Sequence, residues 1–217
     1  MILIMKTIHA THAGSSGRRR QIIEAALACF TEKGFPDTSV AEICRKAGAS
    51  TGSVYHHFKS KGRLAAAIYL EGIRDYQADL LETLSRQDTA RDGIFAIVRY
   101  HLFWVAEHPD WARFLFHKRH AEYMDDSENE MQRLNTRFIK SMSAWFTGHI
   151  QAGRINPLPR DVLMAQLLGP CQEFARMYVA GLIRTGVDEA ADALAAAAWD
   201  SVGRDAGRGE NTDFHPA

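Results

Sequence analysis

Along most of this chain apolar residues recur every three or four positions, the spacing that puts them on one side of an α-helix. Ile22, Ile23, Ala26, Leu27 and Phe30 form the first such face, with Gly34 placed to stop it. Pro36-Asp37-Thr38-Ser39 supplies turn chemistry and N-cap oxygens, after which Val40, Ile43, Cys44 and Ala47 mark a second, short helix. Gly48-Ala49-Ser50 reads as a tight turn into a third helix over about Thr51 to His57, with Val54 and Phe58 inward. Ser60 is placed to cap a long fourth helix carrying Leu64, Ala67, Ile68, Ile73, Tyr76, Leu80, Leu81 and Leu84. Further helices are expected near 90–107, 109–118, 127–152, 160–183 and 188–202, with Pro109, Pro157, Pro159, Gly153, Gly181 and Gly186 punctuating them. Gly169-Pro170 falls inside one of these and predicts a kink.

No segment alternates as a strand pair would, so the expected fold is all-α with about nine helices. The pattern predicts a disordered arm over 1–17, a three-helix helix-turn-helix domain over 18–62, a helical bundle over 63–203 and a disordered tail over 204–217. Two short helices joined by a glycine turn, the second of them exposed, make the helix-turn-helix arrangement that reads DNA from the major groove.

Charge sharpens this picture. The whole chain balances 26 Lys and Arg against 26 Asp and Glu, but up to Arg63 there are 10 basic and 4 acidic residues, a net +6, and beyond it a net −6. A basic amino-terminal unit on an acidic remainder points to a polyanionic partner for the first part only. Cys29, Cys44 and Cys171 are widely spaced and contain no Cys-x-x-Cys pair, which speaks against a disulfide framework or a zinc site. The apolar opening Met1–Met5 is shorter than a signal-peptide core, and charges interrupt every later stretch before the ~20 apolar residues of a membrane span. A cytoplasmic protein without membrane contact is therefore expected.

The stretch from Arg20 to Leu64, with Phe35-Pro36-Asp37-Thr38-Ser39-Val40, Ala47-Gly48-Ala49-Ser50 and Val54-Tyr55-His56-His57-Phe58-Lys59-Ser60-Lys61, resembles the DNA-binding domain of TetR-family regulators. Its most specific mark is Tyr-x-His-Phe-x-Ser-Lys after the third helix. Small hydroxyls and imidazole on an exposed recognition helix reach base edges, which makes Ser50, Thr51, Ser53 and His56 the base-reading candidates. The resemblance implies backbone contacts at Thr38, Ser39, Tyr55 and His57. Lys61 would meet a phosphate beside the fourth helix's N-terminus. Arg18, Arg19 and Arg20 add a candidate electrostatic arm. Two departures stand out: Gly62 and Arg63 replace the acidic residue usual in the first turn of helix four, and Gly52 weakens the recognition helix by ~1 kcal/mol relative to alanine, so that full order is expected only on DNA.

The resemblance further implies a homodimer on double-stranded DNA, paired through the last two long helices, with Leu163, Leu167, Leu168, Phe174, Leu182, Leu194, Ala197 and Ala198 as seam candidates. It also implies a carboxy-terminal bundle that binds an unknown small effector and releases the protein, as a repressor, from a pseudo-palindromic operator. The bundle is rich in aromatic side chains with a few polar ones, suited to an apolar or aromatic ligand. His101, Trp104, Phe114, His117, Phe138, Met142, Trp145, Cys171, Phe174 and Met177 are the pocket candidates. His117 and His120 share a helical face near Glu122, but a lone histidine pair falls short of a metal site, and neither metal nor cofactor is expected. A regulator without a small ligand fits the same sequence. A bundle enzyme fits poorly: no glutamate has histidine three residues on, and no Gly-x-Ser-x-Gly or Walker-type loop is present, so no catalytic residue is expected.

Overall fold

The computed structural model describes residues 15–116 and 128–204; most of the expected arm, nearly all of the tail and His117 lie outside them. Among the described residues there are nine helices and no strand: α1 (Ser15–Lys33), α2 (Val40–Ala47), α3 (Thr51–Phe58), α4 (Lys61–Ser85), α5 (Ala90–Glu107), α6 (Pro109–Phe116), α7 (Glu128–Gln151), α8 (Arg160–Val179) and α9 (Val187–Val202). The expected boundaries hold to within a few residues. The exceptions are α1, which starts at Ser15 inside the expected arm, and α8, which ends at Val179 and not near 183. α3 is formed despite Gly52.

The chain divides into two compact units, though not at the boundary expected near residue 62. One takes the chain to Asp79 and resumes over His108–Thr136; the other takes Leu80–Glu107 and the chain from Arg137 onward. The core of the first gathers Ile22, Ala26 and Phe30 of α1, Ile43 and Cys44 of α2, Val54 and Phe58 of α3, and Leu64 and Ile68 of α4. Phe114 of α6 joins it, its ring stacked on that of Phe30 at 6.0 Å between centroids. Trp111, one turn back on α6, lies so close to α4 that a methyl group on Gly72 would stand 2.4 Å from its ring. α6 belongs to the core of the helix-turn-helix unit because these two rings fill the space between α1 and α4.

In the second unit α5 is the central helix, burying Ile94, Ile97, Val98, His101, Leu102, Trp104 and Val105, and it packs on both α8 and α9. Its Gly93 lies under Trp145 of α7, where a methyl would come within 2.1 Å of the indole. α8 buries Leu163, Leu167, Cys171 and Ala175, one residue per turn, and α9 buries Ala190, Ala191, Ala195, Ala198, Trp199 and Val202. α8 runs through Pro170 without a break. The proline and Gln166, whose carbonyl it leaves without a helical donor, are both exposed, so water can serve that carbonyl. No helix among the described residues is long and apolar enough to cross a membrane.

Candidate nucleic-acid interface

The geometry of α2 and α3 follows from their ends. Ser39 has extended backbone and caps α2: its hydroxyl oxygen accepts the Glu42 N–H at 3.3 Å, and the Glu42 carboxylate accepts the Ser39 N–H at 2.9 Å, a complete capping box. Lys33 of α1 pairs with the same carboxylate. That bond to Lys33, then those from Ser39, pull the Glu42 pKa down to about 2. At the other end Gly48 takes a left-handed conformation (φ 58°), which a side chain would resist, and Ala49 N–H donates to Cys44 O at 2.9 Å. The chain thus turns sharply into α3, whose cap Ser50 accepts the Ser53 N–H at 3.1 Å.

Val54 and Phe58 anchor α3 to the core, at 1% and 4% exposure. The opposite side of this helix carries Ser50, Thr51, Tyr55 and His56, all exposed, with Ser53 and His57 half-buried. Tyr55 is 46% exposed, a large aromatic ring with no core to enter. The four base-reading candidates and the backbone candidates Tyr55 and His57 therefore lie on one short helix and its cap, and Ser39 stands exposed at the start of α2.

Two other backbone candidates are held by carbonyls of their own unit. The Thr38 side chain is 2% exposed, and its hydroxyl donates toward the carbonyls of Gly34 (2.8 Å) and Cys29 (3.1 Å), so it is turned into the fold. The Lys61 ammonium donates to the carbonyls of Phe35 (2.8 Å), Thr38 (2.9 Å) and Pro36 (3.3 Å) and lies 4.5 Å from the centre of the Phe35 ring. Much of the basic excess noted in the sequence is likewise held within the unit. Arg18 donates to the Gly48 carbonyl at 3.2 Å and to Ala47 at 3.4 Å, closing the α2–α3 turn. Arg19 pairs with Glu71 and lies over the Phe58 ring, Arg20 pairs with Glu24, and Lys46 with Glu32. Arg45 and Lys59 are exposed and in no ion pair among the described residues. Charge counting could not separate these classes, since it sees the cation and not the carbonyl it faces.

The family model of bacterial regulatory proteins, tetR family, matches residues 22–68, the segment just described. The match to the tetR family model is confined to this segment, about a fifth of the chain. Among curated relatives, the transcriptional regulator BetI of Brucella anthropi is 30% identical over 109 residues, covering 48% of the chain and 56% of the relative. The chain thus matches about half the length of that relative. Among solved structures, a TetR family transcription regulator from Marinobacter aquaeolei superposes with a TM-score of 0.72 at 23% identity, covering 87% of this chain and 96% of that one. FadR of Bacillus subtilis, in complex with stearoyl-CoA, gives 0.66 at 19% identity, covering 82% and 96%. At these identities the likeness is one of fold.

The pocket candidates fall into three groups. His101, Trp104, Phe138, Met142, Trp145, Cys171, Phe174 and Met177 all lie in the second unit. Phe114 does not: it is a core residue of the helix-turn-helix unit, because α6 packs on α1, and it is withdrawn as a pocket residue. His117 lies outside the described residues. His101 is 2% exposed, and burial holds its pKa down at about 4, so it is neutral at pH 7. Cys171 is 1% exposed, donates to the Leu167 carbonyl at 3.4 Å, and its thiol is pushed up to about 11 by burial, the opposite of a reactive cysteine. Three seam candidates are also corrected, since Leu163, Leu167 and Ala198 are core residues of their own unit.

Proposed function

We propose that this chain is a homodimeric, sequence-specific DNA-binding regulator, working as a repressor whose second unit binds a small apolar or aromatic effector. The observation that carries the reading is the capped α2–Gly48–α3 turn, which leaves one polar side of α3 exposed above a sealed core. An eight-residue helix held at one side by Val54 and Phe58 can enter a major groove and present Ser50, Thr51, Ser53 and His56 to base edges. Tyr55, His57 and Ser39 flank that helix and serve the sugar-phosphate backbone. Two copies would set their recognition helices about 34 Å apart on a pseudo-palindromic site.

Dimerisation through α8 and α9 is supported by the apolar and small residues these helices leave outside, Val162 at 39% exposure, exposed Ala197, and half-buried Leu168, Phe174 and Leu194, and by Leu182 at 68% in the connection between them. An apolar effector is supported by the aromatic residues of the second unit, Trp104, Phe138, Trp145 and Phe174 among them, and by the fold shared with FadR, whose structure holds stearoyl-CoA. The effector acts only through a difference in its affinity for DNA-competent and DNA-incompetent conformers.

The experiment is binding of the purified protein to the DNA upstream of its own coding sequence, and to random DNA, across a salt series. Preference for one sequence with steep salt dependence is expected. Tyr55→Ala weakens binding to all DNA, whereas Ser53→Ala or His56→Ala shifts base preference in a selection from random sequence. Equal, weak binding to every sequence in the selection sinks the reading.

A further inference from the structure

We infer that Gln77 and Asn135 are positioning residues, an amide pair that sets the register of α4 against α7 and through it the place of the recognition helix. The inference rests on the DNA-binding function proposed above, but one of its readouts is in the free protein. α4 and α7 each run out of the first unit as an unbroken helix, α4 after Asp79 and α7 after Thr136. Just before those exits the Gln77 amide nitrogen donates to the Asn135 side-chain oxygen at 2.9 Å. Gln77 is 8% exposed and, with Thr38, makes up the buried polar side chains of this unit among the described residues. One turn earlier on α4, Arg74 pairs with Glu130 of α7 at 2.8 Å.

A buried amide pair is a poor way to stabilise two helices and a good way to register them. Its net contribution is small, because each amide gives up water to gain the other, whereas an amide that loses its partner inside the fold keeps the cost of desolvation. An apolar pair of like size would hold α4 to α7 in several settings; Gln77 and Asn135 are satisfied in one. The Arg74–Glu130 pair, about half exposed on both sides, adds little energy but fits the same register. α3 passes into α4 through Lys59 and Ser60 alone, so α3 travels with the first turn of α4. From Lys61 to Gln77 the helix is about 24 Å long, at about 1.5 Å for each residue. A tilt of about 10° at the pair therefore moves that first turn by about 4 Å, more than the ~3.4 Å between base steps. α7 carries the other member of the pair on into the second unit, whose α8 and α9 hold the proposed dimer contact. The pair thus sets how far apart two recognition helices stand, while the side chains of α3 set which bases each one reads.

The test compares two double variants. Gln77→Met with Asn135→Leu gives an apolar pair of matched size, and Gln77→Asn with Asn135→Gln exchanges the two amides and keeps a donor, an acceptor and their combined length. Selection from paired half-sites set different numbers of base pairs apart reads the effect. Wild type and the exchanged pair should favour one spacing. The apolar pair should lose at least about ten-fold in the preference for that spacing over its neighbours, with base preference inside each half-site unaltered. A purely structural role predicts the opposite, since the apolar pair keeps the packing. In the free protein, spin labels on Lys59→Cys and Arg133→Cys, both exposed positions, report the distance from the end of α3 to α7 in labelled chains diluted with unlabelled ones. The distribution should be narrow in wild type and the exchanged pair and at least about twice as wide in the apolar pair. Should the apolar pair fail to fold, Asn135→Ala takes its place with the same expected readings. An apolar pair with the wild-type spacing preference, or with the wild-type distance distribution, overturns the inference. If the wild type shows no DNA preference at all, the regulatory function fails while the label distances still decide whether the pair fixes α4 against α7.

Discussion

Replacing Phe114 with alanine tests whether α6 is part of the DNA-binding unit. Phe114 is 6% exposed and stacks on Phe30 at 18° between ring planes, among core residues of α1 to α4. Truncating a buried phenylalanine costs about 3–5 kcal/mol, the spread reflecting how far the cavity collapses. The value here should lie in the upper half, because Phe30, Val54, Phe58 and Ile68 are held by three different helices and cannot all close on the space, and because an aromatic pair worth about 0.5–1.5 kcal/mol beyond its area is lost. A domain has only about 5–15 kcal/mol in total. Denaturant unfolding followed by the hydrogen exchange of α1 amides, Ile22 to Phe30, reads the effect. We expect a large fall in the midpoint and loss of α1 protection, with DNA binding lost at temperatures the wild type tolerates. If F114A leaves α1 protection and stability within about 0.5 kcal/mol of wild type, Phe114 is not a core residue of that unit, and its place in an effector pocket returns.

Two further predictions concern the second unit. The His101 pKa lies near 4 in the fold against 6.5 in the open chain, so the unfolded state takes up the proton first; the stability held by the neutral ring is complete above pH 6.5 and falls as the pH drops from there to about 4. The shift of about 2.5 units corresponds to a loss of about 3 kcal/mol relative to a variant lacking the ring, measured by urea unfolding at pH 7 and pH 4, and a pH-independent difference between His101→Leu and wild type would refute it. Gly93→Ala places a methyl 2.1 Å from the Trp145 ring and should destabilise by about 1–2 kcal/mol even after the helix-propensity gain, whereas Gly148→Ala, with nothing within 4 Å, should stabilise by up to about 1 kcal/mol; thermal melts of the two decide it, and equal shifts would mean that Trp145 yields freely.

The period of apolar residues was enough to place all nine helices among the described residues, because an amphipathic stripe is a property of local sequence. Turn chemistry was legible too: the N-cap oxygens ending at Ser39 and the tight turn at Gly48-Ala49-Ser50 are short-range signals, while the Glu42 half of the capping box came with the structure. So was the exposed side of α3, since inward Val54 and Phe58 leave Ser50, Thr51, Tyr55 and His56 outward by geometry alone.

Only the tertiary structure decided which groups those side chains meet. Phe114 stands 84 residues from its stacking partner Phe30, and nothing in its own helix distinguishes a ring that packs on α1 from one that lines a pocket. Leu163, Leu167 and Ala198 share helices with the half-buried Leu168 and Leu194, so a list of apolar residues on α8 and α9 mixes core with surface until the packing partner is known. Thr38 and Lys61 carry the motif of a phosphate contact, and in the free chain their polar atoms meet carbonyls 4 to 26 residues earlier in the chain. A hydroxyl or an ammonium has the same chemistry toward a backbone carbonyl as toward a phosphate oxygen, and it is the fold, by bringing the carbonyl within 3 Å, that supplies the partner met in the free chain.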